Sequence, residues 1–403
     1  MQKKLSIVIP ALNEEDSIAS IIQRTLVAEE YIVSNTHIHS IEIIVVSDGS
    51  TDKTVEIAQS FLPKIKLIVF EKNKGYGAAI KTGWSEATGD YLGFLDADGT
   101  CEPTFFANLI QLLEKNNADV VLGCRLNKES KMPFIRRVGN FIFAKMLTFL
   151  SSNYVKDTAS GMRVVKKSAL KDLYPLPDGL HFTPAMSARA LLNSTICIAE
   201  ENMPYHEREG ESKLSVTKDG VRFLKVILST AFLYRPQIII NFFSAVFFVI
   251  SCLIMFQPVL NYIENKTVAD WMIYRFVFAE VFGVLTVILF SFSFLLQNAV
   301  KLSLNLNVSN EKPSGFADVF FKSKLSFLLG GSFLLIGLLF ISGSLFDRFS
   351  FGYTNEHWSR YIAFSFFEII GLLLLATRSS KYVFKLLQTR LTFIQSEEYE
   401  KLK

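Results

Sequence analysis

The stretch YLGFLDAD at residues 91–98 decides the fold of the first half of the chain, because an uncharged strand runs directly into two acidic residues. The stretches LSIVIPALNE at residues 5–14 and IEIIVVSDGS at residues 41–50 are also mainly apolar runs that end in polar residues. Strands are predicted at 5–9, 41–46, 66–70, 91–95 and 120–122, and helices at 15–28, 52–61, 76–87 and 103–116. This alternation favours right-handed crossovers and a mainly parallel, doubly wound α/β sheet.

Polar loops follow four consecutive predicted strands. They are PALNE at 10–14, SDGS at 47–50, NKGYG at 73–77 and DAD at 96–98. Ligands of such sheets bind outside the carboxyl ends of the strands, so the loops predict a single site. Each loop alone is also compatible with ordinary turn and N-cap chemistry, in which Asp48 starts a helix and Gly75 serves a turn. The four loops together favour a ligand site.

Asp96 and Asp98 carry the most specific chemistry. Two carboxylates two residues apart at the end of a strand can reach the same cation, and hard oxygen ligands select Mg²⁺ or Mn²⁺. Such an ion can bridge a diphosphate and neutralise the charge that builds on it as it leaves. The alternative is a surface turn with two solvated aspartates. A P-loop is excluded, since no G-x-x-x-x-G-K-[ST] follows the first strand.

Composition indicates a membrane protein. The chain has 403 residues, of which 50% are hydrophobic and 37 are Phe, and this is too apolar for a purely soluble protein. The formal net charge of +4 is too balanced for a chain that binds nucleic acid. The four cysteines have no C-x-x-C pairing, so neither a disulfide framework nor a zinc site is predicted.

Long apolar stretches predict four membrane spans at 238–256, 276–296, 325–345 and 361–376. The predicted domains are a cytosolic domain at 1–217, a juxtamembrane amphipathic helix at 218–236, a transmembrane domain at 237–378 and a cytosolic tail at 379–403. Segments 133–150 and 221–234 combine basic residues with an aromatic-rich apolar face, which favours either a place in the membrane interface or ordinary core packing.

Basic residues in the short loops predict the orientation in the membrane. They are concentrated between spans two and three and after span four: Lys301, Lys312, Lys322, Lys324, Arg378, Lys381, Lys385 and Arg390. We therefore expect a multi-pass protein of the cell membrane with its first domain and both termini in the cytoplasm. The opening residues MQKK lead into a strand without the apolar core of a secretory signal peptide.

The motif series resembles that of the family two glycosyltransferases. The motifs are PALNEE, VVSDGSTDKT, NKGYGAA, DAD and DTASGMRV, in order over residues 5 to about 230. The subgroup that they resemble most is the polyprenyl-phosphate glycosyltransferases, which includes dolichyl-phosphate mannose synthase and bactoprenol glucosyltransferase. The resemblance implies a Rossmann-like A-type glycosyltransferase domain followed by an α-helical transmembrane region. It further implies inverting transfer of a sugar from a UDP- or GDP-linked donor to a polyprenyl phosphate, with Mg²⁺ or Mn²⁺.

The resemblance also implies the site residues. Asp96 and Asp98 would bind metal and diphosphate and would be catalytic together with Arg125 and Arg163. The implied substrate-binding residues are Pro10, Asn13, Glu14, Asp48, Gly75, Ser160, Gly161, Arg208, Ser212 and Lys213. Two positions depart from the pattern: Ser47 stands where the family has a first aspartate before Asp48, and Thr100 stands where mannose synthases often have a glutamine.

Arg208 and Lys213 suit a lipid phosphate on chemical grounds. A phosphate monoester carries roughly −1.5 to −2 charges near neutral pH, so it needs cations to place it and no general base to activate it. The alternative is a solvated loop, because Glu207, Glu209 and Glu211 are interleaved.

Two other functions remain open. A processive polysaccharide synthase usually carries Q-x-x-R-W, a motif that this sequence lacks. A non-catalytic scaffold or a transporter of lipid-linked sugars is the second alternative. The sequence leaves open the sugar, the nucleotide base, the length of the lipid and a homo-oligomer.

Overall fold

The computed structural model describes residues 3–127, 132, 134–151, 153–206, 216–304, 315–354 and 356–394. The chain divides into two compact units, Met1–Ala231 and Phe232–Lys403. The division therefore falls inside a helix that runs from Val216 to Tyr234.

A seven-stranded sheet forms the centre of the first unit. Its strands are β1 (Lys3–Ala11), β2 (Ile38–Ser47), β3 (Lys66–Val69), β4 (Tyr91–Leu95), β5 (Val120–Cys124), β6 (Met162–Lys166) and β7 (Ile198–Asn202), in the order β3-β2-β1-β4-β6-β5-β7. Strand β6 pairs antiparallel with β4 and β5, and the other pairs are parallel. The predicted mainly parallel sheet is confirmed. The structure adds β6 and β7, two strands that the sequence analysis does not predict.

Helices cover both faces of the sheet. They are α1 (Ile18–Asn35), α2 (Thr54–Gln59), α3 (Tyr76–Ser85), α4 (Phe106–Lys115), α5 (Phe134–Leu150), α6 (Leu170–Leu173), α7 (Phe182–Leu192) and α8 (Val216–Tyr234). Side chains alternate across a strand, so Ile7 of β1 packs in one core with α1 and α4, while its neighbour Val8 packs in a second core with α3 and α7. Burial on both faces explains why these strands are almost entirely apolar.

The second unit is helical. Its helices are α9 (Pro236–Asn265), α10 (Ile273–Ser303), α11 (Phe316–Lys322), α12 (Leu325–Phe351) and α13 (Trp358–Ile394). By length and composition α9, α10, α12 and α13 are able to cross a membrane, and each contains one of the four predicted spans.

Small and polar side chains join these apolar helices. Ser244 and Ser251 of α9 each donate a 2.9 Å hydrogen bond to a backbone carbonyl of α10. Ser365 of α13 donates to Oε1 of Glu280 of α10 at 2.5 Å, so this carboxyl group faces another helix. Interhelical hydrogen bonds of this kind are typical of membrane bundles, in which lipid competes for apolar surface.

Candidate active site

The predicted loops meet at one edge of the sheet. Strands β1, β2 and β4 are parallel and adjacent, so their carboxyl ends lie side by side. The pairing of Ala11 with Ser47 brings the PALNE loop next to the SDGS loop. This is the edge at which α/β sheets bind ligands.

Asp48 connects the glycine-rich loop NKGYG, residues 73–77, to the end of β2 by hydrogen bonds. Its carboxylate accepts hydrogen bonds from the backbone N–H groups of Lys74 at 2.6 Å and Gly75 at 2.9 Å. Gly75 has a φ of 110°, and a Cβ there would lie 2.4 Å from the carbonyl oxygen of Asp178. Only glycine fits this conformation and this space. Burial raises the pKa of Asp48, although the two amide hydrogen bonds oppose the shift.

Asn13 and Glu14 join the first loop to the second. Oδ1 of Asn13 accepts from the backbone N–H of Thr51 at 2.8 Å, and the N–H of Glu14 donates to Oγ1 of Thr54, also at 2.8 Å. Asn13 has a φ of 48°, a left-handed conformation that asparagine tolerates better than most residues. Pro10, three residues before Asn13, is buried near the end of β1. The observed contacts of Asn13 and Glu14 shape the walls of the site.

Asp96 is held by a residue that the sequence analysis did not single out. The hydroxyl of Tyr76 donates a 2.6 Å hydrogen bond to Oδ1 of Asp96. Burial, followed by the charge of Asp96, raises the pKa of Tyr76 well above its usual value, so the hydroxyl keeps its proton. The only signal in the sequence was the place of Tyr76 inside the NKGYG loop.

Gly161 provides the space that Asp96 occupies. A Cβ at Gly161 would lie 1.7 Å from Oδ2 of Asp96, closer than any real contact. The structure thus brings Gly161, predicted from the SGMR run, directly to Asp96.

Asp98 is buried beside Asp96 and is oriented by its own turn. Its Oδ1 accepts from Oγ1 of Thr100 at 2.6 Å and from the backbone N–H of Thr100 at 3.2 Å. Thr100, one of the two departures from the motif pattern, therefore supports Asp98 directly.

The acidic pair fits a divalent cation. Across the described ranges, no group of three or more His, Cys, Asp or Glu side chains could hold a metal ion. Two carboxylates still suit Mg²⁺ or Mn²⁺, because such ions usually combine one or two protein carboxylates with phosphate oxygens of a substrate and with water.

Arg125 forms a buried ion pair with Asp157. The guanidinium donates from Nε at 2.7 Å and from Nη2 at 2.9 Å to the two oxygens of Asp157, which is fully buried. Burial alone would lower the pKa of Arg125, but the charge of Asp157 raises it, so both groups stay ionised. The Arg125 guanidinium also lies 5.5 Å from the ring centroid of Tyr205. Asp157 belongs to the DTASGMRV motif, although the sequence analysis assigned it no role.

Arg163 and Ser160 hold the loop that contains Gly161. Arg163 is 0% exposed, and it donates to the carbonyl oxygens of Ser160 at 3.1 Å and Thr158 at 2.9 Å. Burial lowers its pKa to about 10. Oγ of Ser160 donates to the carbonyl oxygen of Gly123 at 2.6 Å. These contacts are internal, and contact of Arg163 with a substrate stays a prediction.

Three predicted residues of the acceptor side, Arg208, Ser212 and Lys213, lie outside the described residues.

Comparison with known proteins identifies the family. The profile of Glycosyl transferase family 2 matches residues 6–174. Over 193 residues the chain is 33% identical to UDP-N-acetylglucosamine–dolichyl-phosphate N-acetylglucosaminyltransferase of Methanococcus voltae, with 42% of this chain and 72% of that protein covered. The chain belongs to glycosyl transferase family 2.

Two further comparisons each cover somewhat more than half of this family 2 member. It is 33% identical over 231 residues to low-salt glycan biosynthesis hexosyltransferase Agl6 of Haloferax volcanii, with 56% of this chain and 54% of that protein covered. The chain thus spans about half the length of that relative. Glucosyl-3-phosphoglycerate synthase from Mycobacterium tuberculosis superimposes with a TM-score of 0.45 and 21% identity, over 57% of this chain and 78% of that chain.

Proposed function

We propose that this family 2 member transfers a sugar from a nucleotide sugar to a polyprenyl phosphate at a membrane. The observation that carries the proposal is the acidic pair Asp96 and Asp98 at the ligand-binding edge of the sheet, in a chain with four helices able to span a membrane. The name of the Methanococcus voltae relative, with its nucleotide sugar and dolichyl phosphate, supports the same reaction.

Asp96 and Asp98 would hold Mg²⁺ or Mn²⁺. When bound, the ion would neutralise the charge that develops on the leaving nucleoside diphosphate. The chain's own contribution is to fix the two carboxylates beforehand. Tyr76 orients Asp96, Gly161 leaves room for it, and Thr100 orients Asp98. Preorganised charges stabilise a transition state without the cost of reorganisation during the reaction.

The acceptor needs placement more than activation. A polyprenyl phosphate is already anionic near neutral pH, so its oxygen can attack the anomeric carbon without a general base. Attack opposite the leaving diphosphate would invert the configuration and give a β-linked product. Arg125 is a described cation that the motif series assigns to catalysis. Its pairing with Asp157 keeps it charged and in one orientation, and Arg163 braces the adjoining loop.

The proposal includes the predicted membrane orientation, with the first domain and both termini in the cytoplasm. Catalysis in the cytoplasm is supported by the basic residues that cluster between spans two and three and after span four. Protease protection in sealed membrane vesicles would test it. The sequence leaves a homo-oligomer open, and the mass of the detergent-solubilised protein would decide whether one forms.

A transfer assay tests the reaction. The full-length protein is given polyprenyl phosphate, Mn²⁺, and UDP- and GDP-sugars in parallel, and the lipid product is identified by mass. Asp98→Asn should abolish the product, whereas Glu30→Gln, at an exposed position of α1, should leave it unchanged. Repeated addition of sugar would favour a processive synthase. No product from any donor, with nucleotide binding independent of metal, would favour a non-catalytic protein.

A further inference from the structure

The segment at residues 203–206, directly after β7, crosses the ligand-binding edge of the sheet. The backbone N–H of Met203 donates to the carbonyl oxygen of Cys124, the last residue of β5, at 2.9 Å. The backbone N–H of His206 donates to the carbonyl oxygen of Thr100, also at 2.9 Å. Thr100 belongs to the turn that orients the acidic pair. The segment therefore connects the end of β5 to that turn.

Both ends of the segment are fixed. The side chain of Met203 is 1% exposed and packs in the same core as α1 and α4. Its carbonyl oxygen accepts a hydrogen bond from Nδ2 of Asn127 at 2.6 Å. Because Met203 is held at one end and His206 at the other, Tyr205 between them has a defined position at this edge.

Tyr205 lies beside both Arg125 and the acidic pair. Its ring packs partly against the same core, and the ring centroid lies 5.5 Å from the guanidinium of Arg125. Burial raises the pKa of Tyr205, the charge of Arg125 opposes the shift, and the charges of Asp98 and Asp96 add to it. The hydroxyl of Tyr205 therefore keeps its proton near neutral pH and can act as a hydrogen-bond donor.

The hydroxyl of Tyr205 is available to a ligand. Within the described ranges it has no hydrogen-bond partner, whereas the hydroxyl of Tyr76 donates to Asp96. The residue is only partly buried. A phenol that keeps its proton beside a guanidinium and a cation-binding carboxylate pair suits an anionic oxygen. In the proposed reaction the anionic oxygens at this place are those of phosphate groups.

We propose that Tyr205 is a binding residue that donates a hydrogen bond to a phosphate oxygen of a substrate held between the acidic pair and Arg125. The phosphate belongs to the nucleoside diphosphate of the donor or to the polyprenyl phosphate, since these two groups flank the anomeric carbon in the proposed transfer. The inference rests on the proposed function for the identity of these ligands. It assigns a contact to a residue outside the motif series.

Titration of the full-length protein in detergent with UDP, GDP and farnesyl phosphate, each with Mn²⁺, tests the inference. Tyr205→Phe keeps the ring beside Arg125 and removes only the hydroxyl, so the apparent Tm should not change. The affinity for a nucleotide or for farnesyl phosphate should fall by about 10- to 100-fold, the usual effect of losing a hydrogen bond to a charged group. Loss of nucleotide affinity would assign the contact to the donor, and loss of farnesyl phosphate affinity would assign it to the acceptor.

Tyr31→Phe is the matched control, because Tyr31 is 49% exposed on α1, and this variant should bind every probe as the wild type does. Unchanged affinities in Tyr205→Phe would overturn the inference, and so would equal losses in Tyr31→Phe. Weaker binding in Tyr205→Leu with unchanged binding in Tyr205→Phe would show that the ring acts by packing alone, which also overturns it. Binding that depends on the Tyr205 hydroxyl without any sugar transfer would contradict the proposed function alone.

Discussion

The hydroxyl of Tyr76 lies 2.6 Å from Oδ1 of Asp96, and this hydrogen bond joins the glycine-rich loop after β3 to the acidic pair after β4. The ring of Tyr76 packs edge-on against Phe94 and Phe182, with both centroid distances at 6.5 Å. Because the ring is fixed by the core, the carboxylate of Asp96 is oriented before any ligand arrives. Preorganisation of this kind improves both metal binding and catalysis.

Tyr76→Phe should slow transfer and weaken Mn²⁺ binding by about 10- to 100-fold, the usual effect of losing a partner of a metal ligand. The phenyl ring keeps the aromatic packing, so the protein should remain folded. The measurements are the transfer rate and an Mn²⁺ titration. An unchanged Mn²⁺ affinity would show that Asp96 needs no support from Tyr76.

Gly161→Ala should reduce activity by a larger factor than Tyr76→Phe. The new Cβ would lie 1.7 Å from Oδ2 of Asp96 and would displace the carboxylate. Gly220→Ala of α8 is the control, since a Cβ there meets nothing within 4 Å. The control should keep its activity and gain about 0.5–1 kcal/mol of stability, because alanine favours a helix. Equal activity of the two variants would contradict the close packing of Gly161 on Asp96.

Asp157→Asn should lower the free energy of unfolding by about 3–5 kcal/mol, because it leaves Arg125 buried without its counter-charge. Glu86→Gln removes an exposed ion pair with Lys66 and should cost no more than about 1 kcal/mol. Guanidinium titrations of the full-length protein in detergent measure both values. If Asp157→Asn lowers the free energy of unfolding no more than Glu86→Gln does, the Arg125–Asp157 ion pair does not stabilise this part of the site.

His181 gives the first unit a pH dependence below neutrality. Burial, followed by the nearby charge of Arg222, lowers the pKa of His181 below its usual 6.5, while Asp219 and Asp178 oppose the shift. The folded state therefore binds the proton less readily than the unfolded state. Its contribution to stability is present above pH 6.5 and is lost as the pH falls through the folded pKa. The apparent Tm should fall between pH 7.5 and 5.5, and His181→Gln should reduce that fall. His37→Gln, at an exposed position, should leave the fall in apparent Tm unchanged.

The sequence predicts the parallel part of the sheet well, because β1, β2 and β4 are apolar runs followed by recognisable loops. It misses β6, whose five residues MRVVK include two charges and pair with strands distant in sequence. The four membrane helices are predicted by composition alone, since each exceeds the length needed to cross a bilayer.

Contacts between residues that are distant in sequence also explain why the sequence analysis misses the site roles of Tyr76 and Asp157. Tyr76 acts on Asp96 from 20 residues away, and Asp157 acts on Arg125 from 32 residues away. Neither pairing has a periodic signal, because it depends on which loops the tertiary fold brings together. Asp96 and Asp98 are predicted from the sequence because they stand two residues apart in one motif.

The most direct test of the account locates Mn²⁺ by anomalous X-ray scattering in crystals of the full-length protein soaked with Mn²⁺ and UDP or GDP. The account predicts one strong peak within coordination distance of Asp96 or Asp98 and of the diphosphate oxygens. A peak elsewhere, or an ordered nucleotide at this edge of the sheet with no metal beside the acidic pair, would contradict it.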